Sequence, residues 1–86
     1  MKTTMSIIQE IQDASDNDDM FGLISIHNDL LHENVSLVTN ALTLLKRNDE
    51  VSFEAFSFAS GLSKLDKNGI MKRIIANAIR REGIYD

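Results

Sequence analysis

No proline interrupts any of the 86 residues, and the four glycines stand apart at positions 22, 61, 69 and 83. Such a chain lacks the residues that most often break helices and shape sheet turns. Its apolar residues recur at spacings of three and four, the period of a helix that buries one face. Together these features predict an all-α fold, a small bundle of four to five short helices. At this length the helices must share one core, so residues 1–86 are expected to form a single helical domain.

Capping chemistry divides the chain. Ser6, with Gln9 three residues on, has capping-box spacing and predicts a first helix through Ile7, Ile8 and Ile11 that ends near Ala14. Residues 1–5 then precede the fold as an extension that can be disordered. Met5, followed by Ser6, can itself be an initiator, and nothing structural is expected to depend on the first four residues. Asp13, Asp16, Asp18 and Asp19, mixed with Ser15 and Asn17, supply turn and N-cap chemistry. A second helix is expected from about Asn17 to Leu31, with Met20, Phe21, Leu23, Ile24, Ile26, Leu30 and Leu31 as its apolar positions.

Asn34 caps a third helix that runs to about Arg47. Its stripe of Val38, Ala41, Leu42 and Leu45, widened by Leu37 and Leu44, predicts a place near the centre of the bundle. Asp49 caps a fourth helix holding Phe53, Phe56, Phe58, Ala59 and Leu62, with Gly61 near its end. A period-two strand reading of residues 51–58 fails at Phe56 and leaves no second strand to pair with. Ser63 and Asp66 form another cap-like spacing ahead of a last helix through Ile70, Met71, Ile74, Ile75, Ala78 and Ile79, ending before Gly83. Gly69 inside that helix would cost about 1 kcal/mol, so the start can slip past it. Residues 84–86 are expected to form a short tail.

The side-chain inventory narrows the chemistry. The chain has no cysteine, which removes disulfides and thiolate chemistry and fits a reducing compartment. No apolar run approaches the ~20 residues of a membrane span, and none follows Lys2 as a signal peptide requires, so a cytoplasmic location is expected. His27 and His32 lie five apart, turned well away from each other on a helix, and are expected on the surface or at helix ends rather than as metal ligands. Read as a calcium loop from Asp13, the chain puts Asp18 at the glycine position and Ile24 at the final glutamate position. No glycine-rich phosphate cradle occurs. No catalytic residue, cofactor site or metal site is therefore expected.

Charge is polarised. Residues 1–44 carry Lys2 against Glu10, Asp13, Asp16, Asp18, Asp19, Asp29 and Glu33, whereas residues 64–81 carry six bases against Asp66 alone. The stretch from Phe58 to Lys64 resembles the turn of a helix-turn-helix, which would aim the basic last helix at DNA. Ser57 and Lys67 occupy positions where that motif wants a small and an apolar residue, and an acidic chain repels phosphate, so nucleic acid is the second choice. The first is a protein partner. Phe53, Phe56, Phe58 and Tyr85 are its candidate apolar contacts and Lys72, Arg73, Arg80 and Arg81 its polar ones, with a homodimer expected to cover apolar surface that short helices cannot enclose.

Read from Met5, the run MSIIQEIQDASDNDDMFGLISIHNDLL and the close KRIIANAIRREGIYD resemble the small lysis-inhibition accessory proteins of T-even bacteriophages. The resemblance covers most of the chain and contains no diagnostic motif, so it assigns no individual residue a role. It implies a protein of the host cytoplasm that delays lysis by binding the cytosolic part of the phage holin, with the antiholin acting from the other side.

Overall fold

Each helix begins where a short polar side chain can accept hydrogen bonds from the otherwise unpaired amides of a first turn. The computed structural model describes residues 2–84 and contains five helices and, among those residues, no strand. The first, α1 (Thr4–Asp16), starts earlier than Ser6 would place it. Thr3 is the cap: its Oγ1 accepts from the Ser6 amide at 3.1 Å, and Ser6 Oγ accepts from the Thr3 amide at 2.8 Å. Ser6 thus closes the capping box from its third position. Lys2 Nζ also donates to both carboxylate oxygens of Glu10, at 3.0 and 2.8 Å. Residues 2–4 are therefore structural, contrary to the expectation of a dispensable extension; Met1 lies outside the described residues.

Asp18 takes a left-handed conformation, φ 51°, which a short polar side chain tolerates and which ends any continuous helix there. For that reason α2 (Met20–Leu30) starts after the expected Asn17, with Asp19 as its cap. Asn34 caps α3 (Val35–Asn48), as expected. Asp49 ends α3 and caps α4 (Glu50–Leu62), so a single residue joins the two. Gly69, at φ 66°, precedes α5 (Ile70–Ile84), which does slip past it. Asp66 reaches forward to accept from the amides of Met71 and Lys72, at 3.0 and 3.1 Å. Because α5 runs on through Gly83 and Ile84, the expected break before Gly83 does not occur, and Ile84 belongs to the helix rather than to a tail.

The core draws on all five helices: Ile7 and Ile11, Leu23 and Leu30, Val38, Leu42 and Leu45, Phe53 and Phe56, then Met71, Ile74 and Ala78. α4 packs against each of the other four helices, whereas α3 makes its main contacts with α1, α4 and α5. The centre is therefore shared by α3, where the sequence predicts it, and α4. On α4 the fully buried rings of Phe53 and Phe56 are the largest side chains of the core.

Asp49 carries the densest polar contacts of this frame. It accepts from the Ser52 amide (3.2 Å), Ser52 Oγ (2.7 Å) and Gln12 Nε2 of α1 (3.0 Å), and these bonds hold its carboxyl below the ordinary aspartate range. Asp49→Ala should lower stability by about 1–2 kcal/mol, the usual cost of losing a helix cap. Asp49→Asn keeps an acceptor and should cost much less. Thermal melts followed by helical circular dichroism test this, and an Asp49→Ala protein melting with the wild type would refute the capping role.

Candidate functional site

An α-helix repeats its facing every seven residues, so positions i, i+4, i+7 and i+11 form one stripe. On α4 these are Val51, Ala55, Phe58 and Leu62. Val51 is 79% exposed, Phe58 62% and Leu62 52%, while Ala55 is half-buried. Phe53, Phe56 and Ala59 face the other way and are wholly enclosed. The structure thus separates the three phenylalanines proposed as contacts. Phe53 and Phe56 cannot touch a partner because they build the core, and only Phe58 presents its ring.

A hollow of about 240 Å³ runs beside the stripe, lined by Ser15, Asp18, Met20 and Leu23 together with Val51 and Ala55. Phe21, next to Met20, is 86% exposed although the sequence assigned it to the buried face of α2. Leu65 and Leu62 extend the apolar surface beyond the other end of α4. Val51 and Leu62 are the contact candidates that the sequence reading left out. Their signal is the heptad spacing with Phe58, which lies hidden beside the equally regular set of Phe53, Phe56 and Ala59.

The four basic residues of α5 do not form one surface. Lys72 faces a hollow of about 370 Å³ between α4 and α5, lined also by Ser57, Ser60, Gly61, Ser63, Asp66 and Ile75. Arg81 turns to α3, where its Nη1 donates to Asn40 Oδ1 at 3.1 Å. Arg73 and Arg80, seven residues apart, share the outer face, and Arg80 Nη2 donates to Asn77 Oδ1 at 3.2 Å. The helix-turn-helix likeness of residues 58–64, already the second choice in the sequence, is not matched by the structure either. α4 continues through Leu62, and residues 63–69 link it to α5, a connection longer than the three or four residues of that motif. Tyr85 lies outside the described residues.

His27 departs from the expected surface placement, being 0% exposed. Its Nδ1 and Ser60 Oγ lie 2.7 Å apart, sharing a hydrogen bond whose direction follows the ring tautomer, and the ring tilts toward Phe56 with centroids 6.4 Å apart. A serine beside a histidine suggests a nucleophile and base. In that arrangement a third group orients the ring through its other nitrogen, whereas Nε2 of His27 has no hydrogen-bond partner among the described residues. The contact reads as a polar link between α2 and α4. Asn28 Oδ1 accepts from Ser63 Oγ at 2.9 Å and extends it.

No family model, curated protein or solved structure matches this chain. No helix among the described residues is long and apolar enough to cross a membrane.

Burial disfavours the charged imidazolium and moves His27 below its ordinary value near 6.5, with the Asp66 charge opposing the shift. In the unfolded chain the ring regains its ordinary proton affinity. Below about pH 6.5 the unfolded state therefore binds more protons, and stability falls as the solution is acidified. Melting temperature is expected to drop between about pH 7 and pH 5 in the wild type, and less steeply in His27→Gln. Equal slopes for the two proteins would show that His27 is not the group responsible.

Proposed function

We propose that this protein is a non-catalytic regulator that acts by binding another protein through the exposed α4 stripe. The observation that supports this reading best is Phe58, a large aromatic ring left in solvent between Val51 and Leu62 on a helix whose opposite face forms the core. Exposed aromatic residues in an apolar strip are the usual anchors of protein contacts, because their burial on binding removes much apolar area from water. A helical segment of the partner, laid along the stripe with apolar residues at matching intervals, completes the packing.

The resemblance to phage lysis-inhibition accessory proteins supports a particular partner, the cytosolic part of a holin, and with it a role in delaying host lysis from the cytoplasm. The absence of a membrane-crossing helix among the described residues is compatible with that role. The second reading, binding of nucleic acid by α5, draws on Arg73 and Arg80. It is weaker because Lys72 and Arg81 point to other sides and because the chain carries a net charge of −4.

The test uses the full chain as bait in lysates of phage-infected and uninfected bacteria, in three forms. The wild type should capture a holin from infected cells. Phe58→Glu should lose it, since a carboxylate placed at the centre of an apolar contact cannot be desolvated without large cost. Replacing Lys72, Arg73, Arg80 and Arg81 by glutamate should leave most of the capture intact. Recovery of nucleic acid alone, abolished by the four charge reversals and unaffected by Phe58→Glu, would overturn the proposal in favour of the second reading.

A further inference from the structure

The α4 stripe has a fitting occupant in the protein itself. We propose that two copies pair through α4, antiparallel about a two-fold axis, with the stripe of each covering the stripe of the other. The inference rests on the reading of α4 as the contact surface and adds a homotypic state in which that surface is closed before any other partner arrives.

Size alternation gives the register. Set antiparallel about the midpoint of the stripe, Val51 lies opposite the second copy's Leu62 and Ala55 opposite its Phe58. Each large ring then meets a small side chain, as close helix packing demands. Beside Val51 and Ala55 lies the hollow of about 240 Å³ floored by Met20 and Leu23, open to receive the incoming Phe58 or Leu62 side chain. The stripe spans about 16 Å at the helical rise of 1.5 Å per residue, so all four positions are used in one straight crossing.

Charge selects the direction. The start of α4 is acidic through exposed Glu54 and through Asp18 at the rim of the hollow, while Glu50 is paired with Lys46 at 2.8 Å. Just past its end the chain is basic, with Lys64 and Lys67 exposed. Antiparallel pairing places the acidic start of each helix against the basic end of the other at both ends of the contact. Parallel pairing would set acid on acid and base on base. The opposed helix dipoles favour the same choice. Burial of Phe58, Leu62 and Val51 supplies most of the attraction, while the exposed ion pairs orient it and weaken with salt. A contact built mainly on one helix face is small beside standard interfaces, so pairing is expected at roughly tens of micromolar.

Purified full-length protein, with no other partner present, tests the pairing separately from the capture experiment. In sedimentation equilibrium the mass of the wild type should rise with concentration through tens of micromolar and, well above that range, approach twice the 9.7 kDa chain mass. Phe58→Glu should stay monomeric with unchanged helical circular dichroism, since Phe58 contributes little to the core. The absence of native cysteines makes single-cysteine linking a clean second measurement. Val51→Cys mixed with Leu62→Cys should give a disulfide-linked dimer under mild oxidation, and each variant alone should give far less. A strict monomer, a dimer that survives Phe58→Glu, or self-linking of Val51→Cys alone would each overturn the antiparallel α4 pair. Lys64→Glu with Lys67→Glu should weaken self-association while leaving the stripe open, so that loss of pairing and loss of holin capture are told apart.

Discussion

One residue, Asp49, sets the relation on which the rest of this bundle depends. It ends α3 and begins α4, leaving no loop in which the direction of the chain could vary. Its carboxylate accepts from the first turn of α4 and from Gln12 of α1, so the same side chain that starts the helix also ties it to α1. A helix launched from so short a joint must pack where it is aimed. α4 is aimed into the middle, against all four neighbours, and Phe53 and Phe56 fill the space it enters.

Central position and exposed surface are usually opposed, and α4 has both. Its inner side is covered by neighbours, but the bundle has only five helices, too few to surround it. The stripe of Val51, Phe58 and Leu62 remains outside. Because the joint and the core phenylalanines hold α4 rigidly, the stripe is presented in a fixed geometry, and a partner need not bear the cost of ordering it. The buried His27–Ser60 contact and the part-buried Asn28–Ser63 contact just past the end of α4 tie α2 along the same helix. Polar links of this kind add specificity of alignment to apolar packing that alone would tolerate sliding.

Much of the fold was legible because its signals are local. Asn34 and Asp49 stand directly before the apolar runs they cap, and Gly69 supplies the left-handed turn that α5 needs. The start of α1 was misplaced because Thr3 and Ser6 have the spacing of a capping box just as Ser6 and Gln9 do, and only the backbone reveals which pair closes. The candidate site was legible in kind and blurred in detail. Phe58 and the outward cations Arg73 and Arg80 lie on the surface, while Phe53 and Phe56 are core and Lys72 and Arg81 look elsewhere. α4 is apolar around most of its circumference, and periodicity cannot say which of two regular stripes a neighbour will cover.

The sequence by itself determined the all-α class, a count of four to five helices, most of their caps and the polarised charge, since each depends on residues within about one helical turn or on plain composition. Tertiary structure decided which face of α4 meets solvent, that His27 is enclosed, and that the basic residues of α5 are shared among three sides. Those outcomes depend on contacts between residues 33 to 41 positions apart, His27 with Ser60, Asn28 with Ser63, Gln12 with Asp49 and Arg81 with Asn40. No local pattern encodes the crossing of two distant helices. It is set by how all five apolar faces fill one volume at once.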